Sequence, residues 1–447
     1  MGVTSTEVVS EKQEVVDDID ADKLAALKAK MNAVKEKEKM PIQIVEKKRR
    51  SIDFGVIGSG QAGSRLAETF AKQGYAAVAI NTAQQDLEHI QLPQDSKLLL
   101  EYGLGGAAKD LAIGRDAAEA NRDAINELIH NKLGACQAFM FCLSLGGGSG
   151  AGSCETIIQL LSELGKPVLV MTVIPMDSDD AQTKKNALET LSKLAKEVQT
   201  NKIHNLIVVD NAKIETIYGD VSQIDFFDVS NAAIVGPIHA FNTLTSMPSS
   251  IKPLDPMEFA KIMTDGQGLT VYGEMTVKNY EDDTAIADAI ISNLTNGLLS
   301  NGFELKQAKY VGVILEANKK VFDKIPKRAT GYAMSLVSEI CSAPNGVFNG
   351  TYVTDMKEDA VRVYSMFSGL GLPDSRVVQL KKEAAELELK SKDKNVQRNL
   401  ALNLDTGTEE SVSAADKVRQ KIAAKKSAFG SMLSASVLKA SVNDRRK

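Results

Sequence analysis

Gly146-Gly147-Gly148-Ser149-Gly150-Ala151-Gly152-Ser153 is the stretch on which the fold turns. It follows the apolar run Ala138 to Leu145 and leads into Cys154 to Leu164, whose spacing predicts a helix. A strand that ends in small residues and re-enters as a helix presents bare backbone N–H groups and the positive end of a helix dipole. That is a place for anionic oxygens. Two further glycine loops lie upstream. Gly58-Ser59-Gly60-Gln61-Ala62-Gly63 closes a candidate strand over 52–58 and opens a helix. Gly103-Leu104-Gly105-Gly106-Ala107 follows a candidate strand over 97–101. One such loop is an ordinary tight turn. Three in this order, each at a strand end, point to one polyphosphate.

The first loop alone reads as a dinucleotide-binding turn, which predicts an acid at the end of the second strand to hold a ribose. That strand ends Ala79-Ile80-Asn81-Thr82, without an acid. No GxxxxGK[ST] motif occurs either. A phosphate site of this kind relies on backbone amides, a helix dipole and a metal ion.

Apolar segments at 52–58, 76–81, 97–101, 137–145, 167–173 and 204–210 alternate with helix-sized connections. This is the α/β pattern of a doubly wound, mostly parallel sheet. The segments divide the chain into a polar segment 1–50 with an amphipathic helix near Asp22 to Lys39, a nucleotide-binding domain 51–224, and a central helix and acidic loop 225–267. A smaller α+β domain 268–372, a charged helix 373–400 and a basic tail 401–447 follow. In the smaller domain, strands are expected at 268–277, 308–316, 345–354 and 360–367, with helices near 283–300 and 326–341. Pro373 opens the charged helix, read as 374–396.

Composition excludes other classes. The chain has 447 residues, 43% hydrophobic and 25% charged, with a net charge of -5, so it is neither a wholly disordered chain nor, over its bulk, a basic nucleic-acid binder. No apolar run reaches membrane-helix length, and a cytoplasmic protein without membrane insertion is expected. Gly2 with Thr6 loosely fits a myristoylation pattern. Cys136, Cys142, Cys154 and Cys341 have neither zinc-site nor disulfide spacing and read as reduced, buried thiols; no protein metal-ligand set is expected.

Taken together, these motifs resemble the tubulin/FtsZ superfamily over about residues 52–370. The run Gly146 to Ser153 is similar to the tubulin signature loop, with Ser149 and Ala151 in place of threonines. Gly60-Gln61-Ala62-Gly63 resembles the first phosphate loop of tubulin. Gly103 to Ala107 with Gly114-Arg115-Asp116-Ala117-Ala118 resembles the third loop and following helix of FtsZ, and Asn81-Thr82 falls at the second loop. The resemblance implies GTP/GDP with Mg²⁺ as the bound species. The implied contacts are Gly58, Gly60, Gln61, Ala62, Gly63, Asn81, Gly103, Gly105, Gly106, Ala107, Gly146, Gly147, Gly148, Ser149, Gly150, Ala151 and Gly152. Asn211 and Asn231 match the family's guanine-binding amides, and an amide offers both donor and acceptor to the base edge. Phe227, one helical turn before Asn231, matches the base-stacking aromatic. Asp180 and Lys184 stand where the family has Glu and Arg near the ribose and α-phosphate; a helix-surface ion pair is the competing reading.

None of these loops holds a general base. In the family the hydrolytic acids come from the next subunit, on the loop after the long helix. Asp255 and Glu258, in Leu254-Asp255-Pro256-Met257-Glu258, match them; the plain alternative is an Asp-Pro turn. The resemblance thus implies a polymerisation-dependent GTPase that builds a head-to-tail homopolymer. The charged helix and the tail ending Asp444-Arg445-Arg446-Lys447 are similar to the TubZ family of plasmid and phage tubulins. This implies filaments for DNA segregation or positioning, with a DNA-binding adaptor held by the tail. An FtsZ-like division or shape filament is the alternative. Direct tail–DNA contact, a membrane or a division partner are alternative uses of the tail. A metabolic nucleotide enzyme would show turnover independent of concentration.

Overall fold

The computed structural model describes residues 49–103, 105–295, 297 and 303–401. The expected N-terminal helix, Gly2, Leu104 and the basic tail beyond 401 lie outside them. The described elements are β1 (Phe54–Ser59), α1 (Gly60–Lys72), β2 (Ala76–Asn81), α2 (Gln84–Glu88), β3 (Lys97–Leu99), α3 (Leu111–Ala120), α4 (Arg122–Leu133), β4 (Ala138–Ser144), α5 (Gly148–Glu163), β5 (Val168–Ile174), α6 (Ala181–Gln199), β6 (Asn205–Asp210), α7 (Asn211–Tyr218) and α8 (Phe226–Leu244). They continue with α9 (Pro256–Thr264), β7 (Gly268–Val277), α10 (Ala285–Thr295), β8 (Tyr310–Ala317), α11 (Lys319–Phe322), α12 (Lys327–Ile340), β9 (Val347–Val353), β10 (Val361–Leu370) and α13 (Asp374–Ala401).

All ten strands join one sheet in the order β3-β2-β1-β4-β5-β6-β7-β10-β8-β9. The pairs from β3 to β7 are parallel; β7–β10 and β10–β8 are antiparallel, and β8–β9 is parallel. Every residue of β1, β5 and β6 is buried, which requires both sheet faces to be covered. That is why these strands read as unbroken apolar runs. The segment expected as a smaller α+β domain continues the same sheet, because β7 pairs with β6 over Asn205↔Gly268 to Ile207↔Thr270. The described residues up to Leu387 form one compact unit; a second begins at Glu388, of which the last turns of α13 are described.

The helix α8 spans Phe226–Leu244. The sequence suggests a helix over about 225–249; it ends at Leu244, a few residues before Pro248, which disfavours helix in the residue ahead of it. Pro237 lies inside it, and at the turn this proline opens the Tyr272 hydroxyl donates to the Ile234 carbonyl at 2.9 Å. At its C-terminal end Asn242 brackets the entry to β1: Ile52 N–H donates to its Oδ1 and its Nδ2 donates to the Ile52 carbonyl, each at 2.8 Å. The two ends of α8 therefore mark the two ends of the strands.

Candidate nucleotide-binding site

Strand order reverses between β1 and β4, and in open α/β sheets ligands bind at that crevice, beyond the strands' carboxyl ends. The helices that follow these two strands, α1 and α5, start there side by side. A β-carbon on Gly60 would come within 2.9 Å of Gly150 N, and one on Gly150 within 2.6 Å of the Ser59 carbonyl. Behind them Ser59 and Ser153 share a hydroxyl hydrogen bond of 2.7 Å. Neither α1 nor α5 has a side chain on its first N–H groups, whereas neighbouring α3, α6 and α7 are each capped by an aspartate. Two uncapped helix N-termini at one crevice make an anion site from backbone alone.

The glycines of these loops divide by what surrounds them. Gly58, Gly63, Gly146, Gly148 and Gly152 are packing positions; β-carbons there would meet Gly63 O, Cys142 O, Thr183 Cγ2, Ala107 Cβ and Leu111 O at 2.2 to 2.7 Å. Gly147 opens onto space. Ala107 and Ala151 are buried, so what these two offer a ligand is backbone. Gln61 is exposed and Ala62 half-buried at the mouth.

On the other side of the crevice the loops after β2 and β3 close in. Thr82 Oγ1 meets Ser149 Oγ at 2.5 Å, and Gly106 N–H donates to the Thr82 carbonyl at 2.7 Å. Gly103, Gly105 and Gly106 all have positive φ. So do Ala108 and Lys109, at 44° and 64°, a strained pair for residues with side chains. Asn186 of α6 holds that pair: its Nδ2 donates to the Lys109 carbonyl at 2.7 Å and to the Gly146 carbonyl at 3.2 Å. The amide thus ties the third loop to the glycine-rich loop. It was not among the expected residues, because an Asn on a polar helix has no motif to mark it. Asn81 differs from expectation: its amide is turned back on its own loop, to Asp86 Oδ2 and Ala83 N–H.

Asp180 caps α6 through Thr183 N–H at 2.8 Å and pairs with Lys109. The hydrogen bond from Lys109, then that from Thr183 N–H, hold its carboxyl down to about 2. A depressed carboxylate contributes stability above its unfolded value near 3.8, and that contribution is lost as pH falls toward about 2. Acidification from pH 5 to 3 should therefore destabilise Asp180→Asn less than the parent, read by thermal melts at low salt. Lys184 departs from the expected ribose-side placement. It is 2% exposed, and its ammonium faces Glu383 at 3.0 Å and the Asp177 carbonyl at 2.9 Å.

At the β6 side, Gln61, Ala62, Arg65, Asn211, Phe227 and Asn231 line one cleft. Among the described residues the Asn211 and Asn231 side chains have no hydrogen-bond partner. The Arg65 guanidinium lies 4.6 Å over the Phe227 ring, a cation–π contact that the expectation did not include. From the end of β6 to the end of β3 is five strand spacings, about 24 Å. The cleft and the crevice therefore suit an elongated ligand, with an aromatic ring at one end and anionic groups running toward the Thr82 and Gly106 loops.

Asp255 and Glu258 lie elsewhere. They form a capping box on α9: Met257 N–H donates to Asp255 Oδ1 at 2.7 Å and Asp255 N–H to Glu258 Oε2 at 2.9 Å. Tyr352 anchors the loop through both backbone groups of buried Leu254, at 2.9 and 3.0 Å. The acids follow the far end of α8, whose 19 residues span about 28 Å, while Phe227 and Asn231 sit at its near end. Within one chain they are an α8 length from the cleft. Among the described residues no three His, Cys, Asp or Glu side chains gather as a metal site, and no helix is long and apolar enough to cross a membrane.

Comparison with known proteins agrees with this geometry. The model of the tubulin/FtsZ family GTPase domain matches residues 53–219, and that of the TubZ-like C-terminal domain matches 240–381. The tubulin-like protein TubZ of Bacillus cereus is 23% identical over 402 residues, covering 83% of this chain and 92% of its own. The tubulin-like protein CetZ of Pyrococcus abyssi is 26% identical over 325 residues, 70% of this chain and 85% of its own. The GTPγS-form protofilament structure of TubZ from Bacillus thuringiensis serovar israelensis shares the fold, with a TM-score of 0.70 at 22% identity over 78% of this chain and 95% of that one. With the crevice, the glycine loops and both domain matches in agreement, this chain belongs to the tubulin/FtsZ superfamily, its GTPase domain followed by a C-terminal domain of the TubZ-like kind.

Proposed function

We propose that this protein is a GTP-hydrolysing filament subunit that segregates or positions plasmid or phage DNA, its active site completed by Asp255 and Glu258 of the adjacent copy. The observation that carries the reading is the α8 length between the acids and the cleft in one chain. Head-to-tail stacking brings one subunit's acids to the next subunit's crevice. Guanine sits between Asn211, Asn231 and Phe227. The triphosphate lies on the α1 and α5 N-termini, its last phosphate toward Thr82 and Gly106. Mg²⁺ binds small sets of oxygens and keeps waters, so the phosphates supply most of its ligands. The acids orient water for attack on the terminal phosphate. Phosphate loss then weakens the contact that assembled the site.

The DNA role rests on the TubZ-like C-terminal domain and on a basic tail suited to a DNA-binding adaptor. The similarity to CetZ at comparable identity favours a second reading, a shape or division filament of the CetZ/FtsZ kind. Removing 414–447 separates them: in the DNA reading polymerisation survives and co-sedimentation of adaptor-bound DNA is lost. The filament mechanism is tested by GTP turnover against protein concentration, with light scattering in the same cuvette and ATP as control. A shared threshold is expected. Linear turnover from the lowest concentration, without scattering, would mean a self-contained site.

A further inference from the structure

The C-terminal helix α13 places an arginine against Asp210, the residue before Asn211 of the cleft. Arg376 is 6% exposed. Its Nε donates to Asp210 Oδ2 at 2.8 Å, its Nη2 to Asp210 Oδ1 at 3.4 Å, and its Nη1 to Glu383 Oε1 at 3.3 Å. Nη2 also lies 3.7 Å from Asp177 Oδ1. The second Glu383 oxygen pairs with Lys184 Nζ at 3.0 Å, and Lys184 donates to the Asp177 carbonyl at 2.9 Å. Arg376 and Lys184 thus face Asp210, Glu383 and, at longer range, Asp177, and the close contacts hold the members in a fixed geometry.

Asp210 directly precedes Asn211, which lines the cleft, and Asp177 follows β5, the strand paired with β6. Asp210 ends β6 and caps α7, accepting from Ala212 N–H at 3.2 Å, and the first residue of α7 is Asn211. Asp177 lies in the connection from β5 to α6, which ends at Asp180. The guanidinium therefore bridges the end of β6 and the β5–α6 connection.

We propose that Arg376 is a positioning residue for base recognition: by holding Asp210 and Asp177 it keeps the Asn211 amide at the guanine edge, so that the C-terminal helix sets the preference for guanine over adenine nucleotides. The inference rests on the GTP reading above. A planar fork is what the geometry uses. Lysine keeps the charge and loses the fork, so α7 is held at one point instead of two. The loss then falls on base discrimination and not on nucleotide affinity as a whole.

The test is competition of GTP and of ATP against a fluorescent GDP, using the full chain below its assembly threshold. Arg376→Lys is expected to lower the preference for GTP over ATP about 3- to 10-fold, the size of one misaligned hydrogen bond, with ATP affinity unchanged. A purely structural role would lower both affinities together and leave their ratio intact; that result overturns the proposal. Should Arg376→Lys fail to fold, Glu383→Gln decides. Glu383 is half-exposed and carries the other end of the guanidinium, and a smaller shift in the same direction is expected. An unchanged ratio there, with native circular dichroism, is equally fatal. Parent protein that does not prefer GTP to ATP overturns the GTP reading itself, and this inference with it.

Discussion

Asp255→Asn is expected to leave GTP binding and filaments intact while turnover falls about 100-fold or more, the usual scale of a lost water-orienting carboxylate. The choice of substitution follows from the capping box. Asp255 and Glu258 already cap α9, so alanine would also cost roughly 1 kcal/mol of stability and blur the result. Asparagine and glutamine cap nearly as well, so Asp255→Asn and Glu258→Gln remove charge and little else. The decisive form is a mixture. Asp255→Asn keeps a sound cleft with one acid of the loop neutralised; Gly150→Val keeps sound acids with a blocked crevice. At an interface where the second protein's acids meet the first protein's cleft, turnover should return. A mixture no faster than the sum of its parts would show that the acids do not act across the subunit boundary.

Gly150→Ala should open the crevice where the two helices meet. The added carbon would stand 2.6 Å from the Ser59 carbonyl oxygen and 3.2 Å from its carbon. Both are backbone atoms and cannot rotate away. The α1 and α5 N-termini must then part, and the two sets of N–H groups no longer converge on one anion. A loss of about 1–3 kcal/mol of stability is expected from overpacking, with GTP affinity down at least about tenfold. Gly147→Ala is the control. Its β-carbon meets no atom within 4 Å and its φ of -79° suits alanine, so stability should change by less than about 1 kcal/mol. Thermal melts with and without GTP read both effects. Equal behaviour of the two variants would mean that the approach of the two helices does not build the site.

The same two positions show where sequence reading stops. Both are glycines in one run, and nothing in the run distinguishes them. Position 150 faces another loop some 90 residues away in the chain, and position 147 faces open space. Lys184 makes the point for charge. The family resemblance placed it near a ribose, yet the partner that holds its ammonium, Glu383, is 199 positions downstream on another helix. Asn186 and Arg376 were invisible for the same reason. An amide or a guanidinium on a polar helix acquires meaning only through carbonyls and carboxylates that the fold brings to it.

By itself the sequence determined the alternation of strand and helix and the three glycine loops, while the family resemblance picked out Asn211, Phe227, Asn231 and the acidic loop. These are local properties: side-chain periodicity, the steric freedom of glycine and fixed offsets along a helix survive in one dimension. Tertiary structure decided the rest. It joined two expected domains through one ten-stranded sheet, because β7 pairs with β6. It set the acids an α8 length from the cleft of their own chain, and it brought Arg376 of the C-terminal helix against Asp210, the residue before cleft-lining Asn211. Each of these depends on which distant segments share hydrogen bonds or buried charge, and such pairings between remote residues leave no period in the chain.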